Sequence, residues 1–280
     1  MSARDHVHDH DVGLSHDLPR ILGRRRLLTV LGGVGATVAV AACGSDEGSS
    51  TTGTSGGDQR GSSSQSDTTV ADGEIPEETA GPFPGDGSNG PDALGQSGAV
   101  RQDITSSFGD ASGTADGVPL TIRLKVHDVS GEEVSSYAGA AVYLWHCSRE
   151  GEYSMYSENV ADENFLRGVQ EADDAGALEF TSIFPGAYEG RWPHIHFEVY
   201  PTLGDATSAS NRLRTSQIAL PEDVCREVYD TADGYDASVA NLERTSLATD
   251  LVFADGYSLQ MAKVTGSVDE GFVATLNVPV

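Results

Sequence analysis

The sequence predicts an all-β fold, an antiparallel β-sandwich with long loops and one short helix. Two observations carry that expectation. Apolar residues recur at every second position in many short stretches, the period of a half-buried strand. Polar turn signals such as Asp174-Ala175-Gly176 and Asp255-Gly256 separate those stretches, and hardly any segment has a helical period.

Not all of the 280 residues belong to that fold. Residues 1–43 read as an export signal: a charged start, an apolar run and small residues before a cysteine. Arg24, Arg25 and Arg26 suggest the twin-arginine route, which carries proteins across already folded. Val40-Ala41-Ala42-Cys43 has the form of a bacterial lipobox, with Cys43 as the lipidated residue. A single membrane span is the alternative, but the glycines and alanines of the run and its terminal cysteine favour the lipoprotein. The His-rich opening "HVHDHDVGLSH" precedes the expected cleavage point and has no role in the mature chain.

Residues 44–74 are nearly all Gly, Ser, Thr and Asp, without an aromatic residue. Such a segment buries too little apolar surface to offset its ordering entropy, so it is expected to be a flexible linker spanning about 30 Å. Residues 75–280 remain for one folded domain with a substantial core. The chain is expected to sit lipid-anchored on the outer side of a bacterial cell membrane, or to be secreted.

Within the domain, "PLTIRLKVHDV" alternates Leu120, Ile122, Leu124 and Val126 with polar residues. "AAVYLWHC", "ALEFTSIF", "WPHIHFEVY", "RTSQIAL", "YSLQMAKV" and "FVATLNV" follow in the same style. Only "PEDVCREVYDT" reads as a helix, with Pro221 suited to its first turn. There is no Gly-rich phosphate loop and no Gly-x-Ser-x-Gly elbow. The formal net charge of −26 argues against nucleic acid or anionic lipid as a partner. In an oxidising compartment Cys147 and Cys225 are candidates for a disulfide.

The chemistry gathers around "GRWPHIHFEVY". His194 and His196 are two apart on an expected strand, so their side chains share a face, and Ile195, Phe197 and Val199 take the other. Tyr153 and Tyr156 lie just past a strand, after a Gly turn, and Tyr188 lies on a Pro-Gly turn shortly before His194. Imidazole suits several transition metals, whereas phenolate is a hard donor that favours a highly charged ion such as Fe(III). A bound cation also removes the obstacle of the phenol's high pKa by stabilising the deprotonated form.

Residues 77–280 resemble the intradiol ring-cleaving dioxygenases, the family of protocatechuate and catechol dioxygenases. The matching stretches are "ETAGPFPGDG", "YLWHCSREGEYSMYS", "NFLRGVQEADDAGALEFTSIFPGAYEGRWPHIHFEV" and "RTSQIAL". The resemblance implies a β-sandwich holding non-haem Fe(III) through Tyr153, Tyr188, His194 and His196. It also implies that Arg191 and Gln217 face the substrate, and that Thr79, Gly81 and Pro82 help to wall the pocket. The implied reaction opens a catechol-type ring between its two hydroxylated carbons with O₂, giving a muconate-type diacid. Tyr188 would leave the metal and act as a base, and Arg191 would stabilise negative charge on the substrate.

Tyr156 competes with Tyr153 for the ligand role, but the Gly-x-Tyr placement favours Tyr153. His127 and His146 are expected to be structural, with His146 a minor candidate for supporting the ligands. No long helical segment of the kind that pairs subunits in the catechol-specific branch precedes the domain, so neither substrate nor oligomer carries over from that branch. Two rivals remain. One is a tethered extracytoplasmic lipoprotein that binds a metal or catecholate without turnover. The other keeps an enzyme but places zinc or copper at the histidines; no carboxylate ligand or general base accompanies them, which counts against it.

Overall fold

The computed structural model describes residues 73–280. The expected export signal, Cys43 and nearly all of the expected linker lie outside the described residues. Nine strands form in chain order: β1 (Pro119–Asp128), β2 (Ser135–Ser136), β3 (Ala141–Trp145), β4 (Arg167–Glu171), β5 (Ala177–Ile183), β6 (His194–Tyr200), β7 (Arg214–Ala219), β8 (Lys263–Ser267) and β9 (Gly271–Pro279). Two helices, α1 (Glu222–Thr231) and α2 (Asp236–Glu243), separate β7 from β8.

The strands make two sheets. One runs β2-β1-β9-β8, with β5 also paired to β1; the other runs β4-β3-β6-β7. Every pairing is antiparallel except that of β1 with β9, which run parallel. The alternation in β1 does what its period implies. Leu120, Ile122, Leu124 and Val126 are buried and pack in one cluster with Val142, Leu144, Ile195, Phe197 and Val199 of the facing sheet. Burying each such side chain contributes roughly 1.5–3 kcal/mol, so this inter-sheet layer dominates the stability.

β3 and β6 are buried on both faces. Their second face carries Tyr143, Trp145 and Tyr200, and it is covered by Ala80, Phe83, Tyr153, Tyr156 and Tyr188 from outside the sheets. The covering segments are an N-terminal strap, residues 74–87, the loop between β3 and β4, and the turn between β5 and β6 that carries Tyr188. This third layer gives the sheet a second buried face, and the candidate site lies within it.

Helix α1 starts after Pro221 as expected and buries Cys225, Val228 and Tyr229. The structure corrects the expectation of a single helix, because "DASVANLE" forms α2. That segment shows no clean apolar stripe; it buries only Ser238 and Leu242. The stretch "YSLQMAKV" is turn and irregular backbone with one bridge at Met261, and becomes strand only at Lys263. β4 went unread because "RGVQE" does not alternate and carries an arginine on a buried position. Among the described residues no helix is long and apolar enough to cross a membrane.

Candidate metal centre

β6 places His194 and His196 on the covered face, 2 % and 3 % exposed. The sheet register sets a row across the four strands: Arg167, Trp145, His196 and Gln217 are direct cross-strand neighbours. Directly paired residues share a face, so all four project into the same layer. The Trp145 ring lies flat against His196, with centroids 4.9 Å apart and planes 6° from parallel.

The two Nε2 atoms of His194 and His196 face each other at 3.0 Å. His194 is oriented by its other nitrogen, with Nδ1 2.5 Å from the Trp192 carbonyl oxygen. The Tyr188 hydroxyl lies 3.2 Å from His194 Nε2. The Tyr153 ring sits edge-on to both Tyr188 and His196, at 5.7 and 6.3 Å between centroids. Its hydroxyl is buried and has no hydrogen-bond partner among the described residues.

These four side chains fit a metal ion. Bonds of about 2.0–2.1 Å from two imidazoles to one cation put neighbouring donor atoms near 3 Å apart, which matches the Nε2 pair. Burial holds both histidines well below their ordinary pKa of 6.5, the Arg191 charge adding to it, so the rings stay neutral and keep lone pairs for a cation. Burial raises the pKa of Tyr153 well above its ordinary 10.0 and raises that of Tyr188 too. A phenolate there therefore needs a strong positive charge beside it. A buried hydroxyl without a partner is costly in a stable fold, and a cation would satisfy it. Among the described residues no group of three or more His, Cys, Asp and Glu could hold a metal ion.

Arg191 lies beside this set, 3 % exposed. Its Nε donates to Asp250 Oδ2 at 2.8 Å, its Nη2 donates to Gln217 Oε1 at 2.6 Å, and its Nη1 lies 3.5 Å from His194 Nε2. Gln217 Nε2 in turn donates to the Thr79 carbonyl at 2.9 Å, linking the arginine to the strap. Helix α2 braces the backbone before Tyr188: Ser238 Oγ accepts from the Ala187 N–H at 2.9 Å, and Asn241 Nδ2 donates to the Ala187 carbonyl at 2.8 Å.

The strap crosses this face. A Cβ at Gly81 would stand 3.4 Å from His196 Cε1, in ordinary van der Waals contact with the ring. The Gly81 N–H donates to Thr79 Oγ1 at 3.0 Å, and the Pro82 carbonyl accepts from Asn89 at 2.7 Å. The Phe83 ring meets Tyr153 at 4.9 Å.

The remaining candidates separate cleanly. The Tyr156 hydroxyl accepts from the Gly85 N–H at 2.8 Å and donates to Asn89 at 2.7 Å, so it serves the strap. His127 contacts Asn277 at 3.1 Å. His146 sits between Ser182 Oγ and the Cys147 carbonyl, and burial lowers its pKa to about 4. Cys147 and Cys225 are both buried free thiols rather than a disulfide. Cys147 donates to the Gly186 carbonyl at 3.4 Å, while Cys225 is on the inner face of α1.

Three contributors were not singled out from the sequence. Trp145 could have been found from its alternation with Tyr143 on β3. Arg167 carries a weaker signal, a charge inside a run whose neighbours are buried. Asp250 carries none, being one of 43 acidic residues in an ordinary loop.

A family model described as Dioxygenase matches residues 89–204, the stretch that bears both tyrosines, Arg191 and both histidines. The chain is 38 % identical over 64 residues to chlorocatechol 1,2-dioxygenase from Rhodococcus opacus, covering 23 % of this chain and 24 % of that protein. It is 30 % identical over 73 residues to catechol 1,2-dioxygenase from Pseudomonas sp. (strain EST1001), covering 26 % and 23 %. The match thus spans about a quarter of the length of these curated relatives. The fold is similar to that of an intradiol ring-cleavage dioxygenase from Tetranychus urticae, with a TM-score of 0.54 at 22 % identity over 66 % of this chain and 87 % of that one. The family model and the curated relatives agree in indicating the intradiol ring-cleavage dioxygenases as the family this chain resembles.

Proposed function

We propose that the chain is a non-haem iron(III) dioxygenase that opens a catechol-type ring between its two hydroxylated carbons, incorporating both atoms of O₂ to give a muconate-type diacid. The observation that carries this is the convergence of two phenols and two imidazoles, with Nε2 atoms 3.0 Å apart and a partnerless Tyr153 hydroxyl. Tyr153, Tyr188, His194 and His196 would hold the ferric ion. When bound, that ion would draw electron density from a chelated catecholate and make the ring reactive towards O₂.

The side chains divide the remaining work. Tyr188 is less buried than Tyr153, which is 2 % exposed, so Tyr188 is the phenol that can move and take up a proton from the incoming catechol. His194 keeps its ring fixed through Trp192 and presents Nε2 inward. Arg191, held from two sides by Asp250 and Gln217, presents a fixed positive charge where negative charge would build on the ring. Trp145 and the strap keep water from the ligand face.

The chain is further read as an exported lipoprotein, delivered through the twin-arginine route and anchored at Cys43, so that it meets its catechol outside the cytoplasm. Mass spectrometry of membrane-extracted protein against a Cys43→Ala form tests this; an unmodified Cys43 would refute it. For the activity, the test is a visible spectrum of the iron-loaded domain before and after anaerobic catechol. A phenolate-to-iron band that shifts with catechol and bleaches when air enters is the expected result. A band that shifts and never bleaches would mean binding without turnover, and a colourless zinc protein would mean another chemistry.

A further inference from the structure

Arg167 is the β4 member of the row that continues through Trp145 to His196. It is 1 % exposed, yet among the described residues its hydrogen bonds all go to uncharged oxygens. A guanidinium has five N–H donors in a planar fork, and here each finds an acceptor. Nε donates to Ser154 Oγ at 3.0 Å. Nη1 donates to the Pro84 carbonyl at 2.7 Å and to Tyr143 Oη at 3.3 Å. Nη2 donates to the Phe83 carbonyl at 3.0 Å and to the Ser154 carbonyl at 2.9 Å. Ser154 Oγ sends its own proton to the Phe165 carbonyl at 2.7 Å, which leaves its lone pair for Arg167.

Four of the acceptors belong to two separate segments outside the sheet, and the fifth, Tyr143 Oη, is on β3. Phe83 and Pro84 are in the strap over the centre; Ser154 directly follows Tyr153. A buried charge without a carboxylate is costly, so its retention asks for a reason beyond packing. The strap is also shaped to fit it. Gly85 has φ +62°, and a Cβ there would fall 2.7 Å from Arg167 Nη1, so the backbone lies directly against the guanidinium.

We infer that Arg167 is a positioning residue: it joins the strap to the turn carrying Tyr153, so that the wall of the centre and one of its ligands are held as a single unit. Lysine does not replace it, because a point charge on a flexible stem cannot span five acceptors in the strap, the Ser154 turn and β3. The clamp follows from the hydrogen bonds alone. Its consequence for the metal rests on the Tyr/His centre proposed above.

The test compares Arg167→Lys, Arg167→Met and Ser154→Ala with the unaltered domain. In metal-free protein, hydrogen exchange at residues 83–87 and 152–157 is expected to quicken together in both Arg167 variants, while β6 stays protected. Ferric affinity, measured by competition with citrate and read from the phenolate band, is expected to fall by ~10-fold or more. Loosening of only one segment, or an unchanged affinity with both loosened, would overturn the assignment. Should the Arg167 variants fail to fold, Ser154→Ala decides: it removes the Nε acceptor and should quicken both segments by a smaller factor, and unchanged exchange would refute the clamp. An unaltered domain that binds iron and opens no catechol would refute the proposed activity and leave the exchange result standing.

Discussion

Asp250 grips Arg191 with both carboxylate oxygens, Oδ2 accepting from Nε at 2.8 Å and Oδ1 from Nη2 at 3.3 Å. The two side chains are 0 % and 4 % exposed. The carboxylate is itself anchored by the backbone N–H groups of Trp192 at 2.7 Å and Val252 at 2.9 Å. Arg191 is therefore aimed by a group that does not depend on it.

Removing one partner of such a pair leaves a buried charge uncompensated, at a cost of about 3–5 kcal/mol. Asp250→Ala is expected to lower stability by that order in a denaturant titration. Asp250→Asn should cost less, keep its iron and lose most of its catechol turnover. Full turnover in the Asn variant would show that the Asp250 charge does not matter to Arg191.

Tyr153→Phe should act in opposite directions on fold and function. The deleted hydroxyl is buried and partnerless, so metal-free protein is expected to gain on the order of 1 kcal/mol. Iron binding should weaken sharply and the phenolate band should change. Tyr188→Phe is expected to retain more iron and lose more turnover. Two variants with unaltered iron content and activity would mean that neither phenol is a ligand.

Acid stability of the metal-free domain carries two opposed terms. His194 and His196 stay neutral when folded but take up protons below about pH 6.5 when unfolded, so stability falls as the pH drops below that value. Glu198 works the other way: burial raises its pKa from 4.5 to about 7. The stability held in its protonated form is complete below about pH 4.5 and is lost as the pH rises to about 7. Melting curves across this range should show Glu198→Gln gaining on the unaltered domain toward pH 7. Parallel curves would contradict the assignment.

Gly81 occupies the left-handed region with φ +71°, and its Cα faces His196. An alanine there is expected to cost roughly 1–2 kcal/mol from backbone conformation. It should also raise the KM for catechol, because relief of the strained φ displaces the strap that lies on His196. An unchanged KM with lowered stability would confine Gly81 to a backbone role.

Much of the centre was legible because its key residues are close in sequence. His194 and His196 share a face by the two-residue period of a strand, and Arg191 and Tyr188 sit on the turn that feeds it. Tyr153 was separated from Tyr156 on spacing, and the structure sends the Tyr156 hydroxyl to the strap. Asp250 was hidden because its role depends on a loop folding back some sixty residues after Arg191, with no local pattern to mark it. Helix α2 was hidden because it packs with few apolar residues and works through Ser238 and Asn241.

By itself, the sequence determined the strand periodicity, the sandwich that buries it, and the order along the chain of the four residues proposed as metal donors. Those follow from local alternation, which needs no knowledge of distant contacts. Only the tertiary structure decided which side chains share the centre. The register across β4, β3, β6 and β7 set Arg167, Trp145, His196 and Gln217 in one row, and the strap made a buried layer of a face that a two-layer sandwich would leave to water. Register and layering are long-range choices, set by how whole faces exclude water together, and no short stretch of residues carries them.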